Sequence, residues 1–273
     1  MNNMNNNTEN LVVTGFSKKG IAEELERMFP EEFEAIQNEE EYGVIYNKAI
    51  FYFNNDVVGM FNEKEYTIND IASFIRNMRD KATSFTREEV LGKLMLKASS
   101  TQMGNIGLQV ADNIFLYPTL ACNGMSSLRV YRSNLLEWGI SVEEAIRYAA
   151  SNTLNATRLY RMGDAVRKFT PASSELIDDI ERAGISMLCV SNATDSYGAA
   201  GAFLIKEFYE DMDMDIIIIP SSIHECLLLP YVQGCEDEVN QMIKGINTIL
   251  KEEEILSDHA YLWSRKEQKI ISL

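Results

Sequence analysis

The sequence predicts an α+β fold built on a mixed sheet, and its C-terminal third provides three observations for this. The segments "SMLCV", "DIIIIP" and "CLLLP" are short, continuous apolar runs, which are typical of buried strands. Between and after them, "YGAAGAFLIKEFYEDM" and "EDEVNQMIKGINTILKE" repeat apolar residues at helical spacing. The last segment, "HAYLWSRKEQKIISL", indicates one or two further strands. The resulting β-α-β-β-α-β order is that of the split βαβ, ferredoxin-like arrangement, although other α+β sheets share it.

The strands of this predicted sheet are apolar at every position, so we expect both faces of the sheet to be covered. The available cover is the N-terminal half, residues 18–103, which precedes the C-terminal half, residues 104–273. We therefore predict one composite α+β domain over residues 18–273. Residues 1–17 are expected to form a flexible leader, because they begin with the asparagine-rich, polar stretch "MNNMNNNTEN".

The N-terminal half reads as helices and short strands. Apolar residues at helical spacing predict a helix in "KKGIAEELERMFPEEFEAI", broken at Pro30, and another in "TINDIASFIRNM", which Thr67 can cap. The β-formers of "YGVIYNKAIFYF" favour two strands. Residues 86–100 predict a further helix, since Thr86 and Glu89 have the spacing of a capping box. Asn123-Gly124 then predicts a tight hairpin between two strands.

Composition and charge exclude several classes of function. The chain has 273 residues with a formal net charge of -16, which opposes binding to nucleic acid and to anionic lipid. Its apolar runs are too short to span a membrane. The four cysteines show no CxxC spacing and no secretion signal is apparent, so we expect free thiols and a cytoplasmic protein.

Polar residues from three separate segments are predicted to meet at one end of the sheet. The loop "SNATDSYG" follows the first strand, "PSSIHE" joins the second to the third, and "SDHA" precedes the last. If the first two strands run in the same direction, all three segments reach the same end. They carry both histidines of the chain. From them we select a ligand-binding set of Tyr197, Ser222, His224, Glu225 and Asp258.

Several chemistries remain open for this set. A serine–histidine–carboxylate relay could use Ser221 or Ser222 with His224 and either Glu225 or Asp258. A metal site could draw on His224, Glu225, Asp258 and His259. The N-terminus of the helix after Tyr197, with Gly198 and Gly201, could bind an anion, although small residues there equally permit close packing. A turn stapled by Ser222 and Glu225 explains "PSSIHE" without any ligand, and this interpretation is favoured.

A set of segments from about residue 30 to the C-terminus resembles a bacterial family known only as a domain of unknown function, found mostly in anaerobic Gram-positive gut bacteria. The resemblance is carried by "YGVIYN", "FLYPTLAC", "YRSNLLEWGISVEEAIRYAASNT", "VSNATDSYGAAGAFL", "IIIPSSIHECLLLP" and "ILSDHAYLW". It implies no reaction. His259 and the asparagine-rich start depart from the family pattern.

We conclude from the sequence that the chain is a cytoplasmic, non-enzymatic binding or interaction protein. Its partner would be another protein or a small molecule, with no nucleic acid and no membrane. No cofactor and no metal are assigned. The alternative is a small hydrolase, or an enzyme with a metal or phosphate ligand, centred on His224 with Glu225 and Asp258.

Overall fold

The structure is a computed structural model, and the described residues are 15–38, 41–47, 49–53, 55–103, 105–123, 126–169, 187–193 and 197–273. The chain divides into two compact units, the first ending at Phe85 and the second running from Thr86 to Leu273. Helices and antiparallel sheets together confirm the predicted α+β class. No helix among the described residues has the length and apolar character needed to cross a bilayer.

Over its described residues, the first unit combines a three-stranded antiparallel sheet with three helices. The predicted cap at Thr67 is confirmed, because its side chain accepts from the Asp70 N–H and Asp70 binds the Thr67 N–H in return. The elements in chain order are α1 Lys18–Met28, β1 Phe33–Asn38, β2 Glu41–Tyr46, β3 Ala49–Tyr52, α2 Asn55–Glu63 and α3 Ile68–Ser84.

The second unit begins with a four-stranded antiparallel sheet and its helices. Residues 86–100 are not one helix as predicted: the capping box at Thr86 starts a helix that ends at Lys93, and a strand follows. That strand alternates buried and half-buried residues, so its period is two and not 3.6. The elements are α4 Arg87–Lys93, β4 Leu94–Ser99, β5 Leu108–Ala111, β6 Ile114–Asn123, β7 Ser126–Arg129, α5 Arg132–Trp138 and α6 Val142–Ala156.

The rest of the second unit is built on a six-stranded sheet. Its strands are β8 Thr157–Arg161, β9 Leu188–Asn192, β10 Ile216–Pro220, β11 Cys226–Pro230, β12 Tyr261–Ser264 and β13 Lys269–Ser272, in the spatial order β13-β12-β10-β11-β9-β8. Its helices are α7 Met162–Phe169, the 3₁₀ helix η1 Ala199–Phe203, α8 Lys206–Glu210, α9 Glu236–Asn247 and the 3₁₀ helix η2 Glu252–Glu254.

The strand order departs from the ferredoxin-like one, and the sheet is not mixed. Every pair formed by the described strands is antiparallel. β9 and β10 run in the same direction with β11 inserted between them, which is the split βαβ unit that was predicted. The last strand, β12, pairs with β10 and not with β9, because β8 and β11 already occupy both sides of β9.

The two helical connections cover opposite faces of the six-stranded sheet. On one face Val239 and Ile243 of α9 pack into a core cluster with Ile217, Ile219, Ala260 and Leu262. On the other face the Tyr209 ring of α8 stacks on Trp263 at 5.5 Å between centroids, and Phe203 of η1 meets Tyr261 edge-on. A ferredoxin-like sheet would carry both helices on one face.

This arrangement explains the continuous isoleucine run. Ile216 to Ile219 are at most 5 % exposed, as expected for a strand covered on both faces. The predicted cover by the N-terminal half is present in part, since β4 contacts η1, which packs on one face of the sheet. The first cover on that face, however, is η1 and α8.

Candidate functional site

The six-stranded sheet brings the predicted segments together at one end. The register pairs Pro220 with Cys226, Cys226 with Val190, and Ile218 with Tyr261. The C-terminal ends of β9 and β10 and the N-terminal ends of β11 and β12 therefore lie at the same end. We call this region, residues 191–193, 197–199, 220–226 and 257–261, the His224 end of the sheet.

The bend "PSSIHE" is held by its own serines and glutamate. The Ser221 hydroxyl donates to Glu225 Oε1 at 2.9 Å, and the Ser222 hydroxyl donates to the same oxygen at 3.2 Å. Ser222 Oγ in turn accepts the main-chain N–H of His224 at 3.0 Å. The predicted staple between Ser222 and Glu225 is thus present, and both hydroxyls are engaged by a carboxylate.

The His224 imidazole is bound by the main chain of the neighbouring loop. Its Nδ1 accepts the Tyr197 N–H at 3.1 Å, and the two rings lie 5.0 Å apart between centroids. An imidazole whose Nδ1 accepts a hydrogen bond carries its proton on Nε2 when it is neutral. After Tyr197 in the chain, the Gly198 N–H donates to the His224 carbonyl and the Ala199 N–H donates to the Ile223 carbonyl. The two segments are therefore joined by three hydrogen bonds.

Tyr197 adopts a backbone conformation that is unfavourable for its side chain. Its φ of 56° lies in the left-handed region, where a Cβ atom crowds the main chain. Such a conformation persists only where the surrounding contacts impose it, and it recurs at functional sites. Here the bonds to His224 impose it.

Lys97 of β4 also contacts Tyr197. Its ammonium group lies 3.5 Å from the centroid of the Tyr197 ring, within the range of a cation–π interaction. Lys97 is half-buried, and its alkyl stem carries the ammonium group from β4 to the ring.

The Asp258 carboxylate forms a hydrogen bond with the adjacent residue, His259. Its Oδ1 lies 2.8 Å from Nδ1 of His259, and this hydrogen bond lowers the pKa of the exposed Asp258 carboxyl below its usual value. Ser257 supports the turn, since its Oγ accepts the main-chain N–H of His259 and lies 3.1 Å from the Tyr261 hydroxyl. This turn stabilises the start of β12.

These bonds bear directly on the chemistries considered for the site. The hydroxyls of Ser221 and Ser222 face Glu225 and not the imidazole, and Nδ1 of His224 is occupied by a main-chain N–H, so no relay is assembled. Over the part of the chain that the structure describes, no three histidine, cysteine, aspartate or glutamate side chains are grouped as metal ligands. Asp195 lies outside the described residues.

The two buried cysteines near this end are not nucleophiles. Burial, with the Glu225 charge as a smaller cause, raises the pKa of the Cys189 thiol to about 12. Burial likewise raises the pKa of Cys226 well above its usual value. A neutral thiol is a poor nucleophile, so both side chains serve as packing groups.

The predicted anion site at the helix after Tyr197 is replaced by close packing. The helix is a five-residue 3₁₀ turn, because Gly198 and Gly201 bring the chain too close to the sheet for a long α-helix. A Cβ at Gly198 would lie 2.7 Å from the Asn192 nitrogen, and one at Gly201 would lie 2.4 Å from Thr157 Oγ1. Gly198 therefore permits contact with the main chain of β9, and Gly201 permits contact with the Thr157 side chain, so both glycines are explained by packing.

A family model matches residues 114–265, more than half of the 273 residues. The chain belongs to DUF5688, a family of unknown function. No curated protein and no solved structure matches. The DUF5688 match confirms a family without assigned activity, and it covers a shorter stretch than the resemblance from about residue 30.

The DUF5688 segment contains all five predicted ligand-binding residues but not all of the site. Tyr197, Ser222, His224, Glu225 and Asp258 lie inside it, and the structure joins the first four through hydrogen bonds. Lys97 lies before the segment and was missed from the sequence. Residues 86–100 were predicted to form a helix, so no sequence signal placed Lys97 in a strand, and its contact with Tyr197 depends on tertiary packing.

Proposed function

We propose that this protein is a non-enzymatic, cytoplasmic binding protein whose ligand or partner docks at the His224 end of the sheet. The observation that carries the proposal is the Tyr197 loop: a strained residue whose main chain binds His224 and whose ring contacts Lys97. Holding a residue in this conformation costs about 1–2 kcal/mol. Such strain in the absence of an assembled nucleophile supports binding over catalysis.

The chemistry of the two groups beside Tyr197 supports a ligand with a hydrogen-bond acceptor. A neutral His224 presents an Nε2–H donor, since its Nδ1 is occupied. Lys97 supplies a positive charge next to the same ring. A carboxylate or phosphate group matches this pair of a donor and a cation. Ser222 and Glu225 then act as supports that fix the bend, and Asp258 lies in the turn before β12 at the same end of the sheet.

The enzyme alternative centred on His224 has less support. A hydrolase would need one of the two serine hydroxyls to leave Glu225 and reach the imidazole. A phosphate ligand remains compatible with the proposed acceptor chemistry. The cytoplasmic location rests on unpaired cysteines and the bacterial, anaerobic gut origin rests on the sequence resemblance. The sequence predicts a single composite domain over residues 18–273, and the compact unit from Thr86 to Leu273 is the competing division of the chain.

A ligand screen tests the proposal. Mono- and dicarboxylates and phosphate monoesters are added to the wild type, His224→Ala and His259→Ala, and binding is followed by ligand-observed NMR. We expect at least one compound class to bind the wild type and His259→Ala but not His224→Ala. The chain has two histidines, so the second is the matched control.

Two results would contradict the proposal. The first is binding that survives unchanged in His224→Ala. The second is labelling of Ser221 or Ser222 by a fluorophosphonate probe, which reacts with activated serine hydroxyls and would favour the hydrolase.

A further inference from the structure

β8 forms one border of the six-stranded sheet. It pairs with β9 on one side, and among the described strands none pairs with it on the other. It is short and lies directly between α6 and α7, with Arg158, Leu159 and Arg161 exposed. Leu159 is one of the larger exposed apolar side chains, at 42 % exposure. An edge strand with an exposed apolar residue is a template for a further strand.

The hydrogen-bond register shows which main-chain groups of β8 point outward. Met162 N–H donates to the Met187 carbonyl and Ala193 N–H donates to the Ala156 carbonyl, so both of these pairs are of the hydrogen-bonded type. Pair types alternate along an antiparallel ladder. Leu159 therefore directs its N–H and C=O groups away from β9, and Arg161 directs its N–H away, whereas the Arg161 C=O precedes α7 and accepts the first bond of that helix. The two Leu159 groups and the Arg161 N–H are the groups that an added strand would bind.

The charge of this border is opposite to that of the whole chain. Residues 157–169, β8 and α7, contain four basic residues and one acidic residue, whereas the protein carries a net charge of -16. The Arg158 guanidinium donates hydrogen bonds to the carbonyls of Asn155, near the end of α6, and Thr157, at the start of β8. Arginine on an edge strand disfavours pairing with basic strands and favours an acidic one.

A second copy of β8 is a poor partner for the same reason. When two β8 strands overlap fully in antiparallel order, Arg158 faces Tyr160 and Arg161 faces Thr157, so a second copy offers no acidic side chain to either arginine. The occupant that fits the charges is an acidic peptide from another molecule.

The positions of the two arginines define the sequence that such a peptide needs. Thr157 contacts the Gly201 position of η1, so Leu159 and Arg161 share that face, and Arg158 lies on the other. In antiparallel pairing, acidic residues opposite Arg161 and Arg158 are three positions apart, and the residue opposite Leu159 lies between them. We propose that β8 binds an extended acidic peptide by strand addition, with the pattern acidic–any–apolar–acidic.

The test uses a fluorescein-labelled peptide, Thr-Thr-Glu-Thr-Val-Glu-Thr-Thr, and a matched peptide with both glutamates replaced by lysine. Binding to the full-length protein is measured by fluorescence anisotropy at low salt. We expect the wild type to bind the glutamate peptide and not the lysine peptide. The double variant Arg158→Glu, Arg161→Glu is expected to reverse this preference.

A second pair of variants separates strand addition from simple charge attraction. Leu159→Pro removes an outward N–H without removing a bond to β9, since proline is tolerated on the solvent side of an edge strand. We expect it to weaken binding by about tenfold or more, and Leu159→Ala, which keeps the N–H, to weaken it less.

The proposal is overturned if the wild type binds both peptides equally or binds neither. It is also overturned if the wild type self-associates through β8, detected as a concentration-dependent mass that Leu159→Pro abolishes. If Leu159→Pro does not fold, the charge-reversal variant alone decides.

Discussion

At the scale of single residues, the His224 end is a set of side chains bound mostly to one another and to the main chain. The spacing of Ser222 and Glu225 was enough to predict the staple of the bend, because its partners are three residues apart. The bond from Tyr197 to His224 was not predictable, since 27 residues separate them and the bond depends on the β9–β11 pairing. Local patterns indicate local hydrogen bonds only.

The acceptor role of His224 gives the first stability prediction. In His224→Phe a ring remains but the Tyr197 N–H loses its acceptor, so we expect a loss of about 1–2 kcal/mol in the free energy of unfolding. In His224→Asn the side-chain oxygen can take the place of Nδ1, and we expect a smaller loss. Urea unfolding monitored by fluorescence measures both. A His224→Phe variant as stable as the wild type would contradict the assignment.

The buried cysteines predict that the folded protein becomes less stable at alkaline pH. Cys189 has a folded pKa of about 12 against an ordinary value of 9.0, so its contribution to stability is full below pH 9. As pH rises from about 9 towards 12, the unfolded chain ionises first and the contribution is lost. The urea midpoint of the wild type should therefore fall more between pH 7.5 and 10.5 than that of Cys189→Ala. If the urea midpoints of the two proteins fell equally, folding would not raise the pKa of the Cys189 thiol.

At the scale of elements, helix starts were better predicted than helix lengths. The capping boxes at Thr67 and Thr86 are both present, because a cap is a contact within four residues. The segment after Tyr197 was predicted as one long helix but forms η1 and α8. Its apolar spacing is helical, yet the close approach of Gly198 and Gly201 to the sheet breaks it.

Two glycine substitutions test this packing. Gly198→Ala places a Cβ 2.7 Å from main-chain atoms of Ser191 and Asn192 that cannot move aside, so we expect destabilisation of about 1–3 kcal/mol. Gly245→Ala is the matched control, because it lies exposed in α9 with open space around it and should stabilise by about 0.5–1 kcal/mol. Thermal unfolding compares the two. Similar effects of both substitutions would rule out the packing explanation.

At the scale of the whole molecule, hydrophobic patterning predicted the fold class and the burial of the sheet but not its topology. Continuous apolar strands require cover on both faces, and this is what Ile216–Ile219 receive. Two features depend on how the chain connects its strands in space: the face of the sheet that each helix covers, and the strand with which β12 pairs. The apolar pattern is the same for either strand order.

The division of the chain yields a prediction about fragments. Residues 86–273 contain both antiparallel sheets of the second unit, so we expect this fragment to fold alone with a cooperative thermal transition. A fragment starting at residue 104 lacks β4, which pairs with β6 over its whole length, and is expected not to fold. Circular dichroism distinguishes the two. A 86–273 fragment that fails to fold would favour the composite domain instead.

The most direct test of the central claim, that the Tyr197–His224 pair is the centre of a binding site, is a long-range ¹H–¹⁵N spectrum of the two histidine rings during the ligand screen. The account predicts that His224 shows the Nε2–H tautomer and that its signals move on addition of the bound carboxylate or phosphate, while those of His259 stay fixed. A His224 ring protonated on Nδ1, or ligand shifts confined to His259, would contradict it.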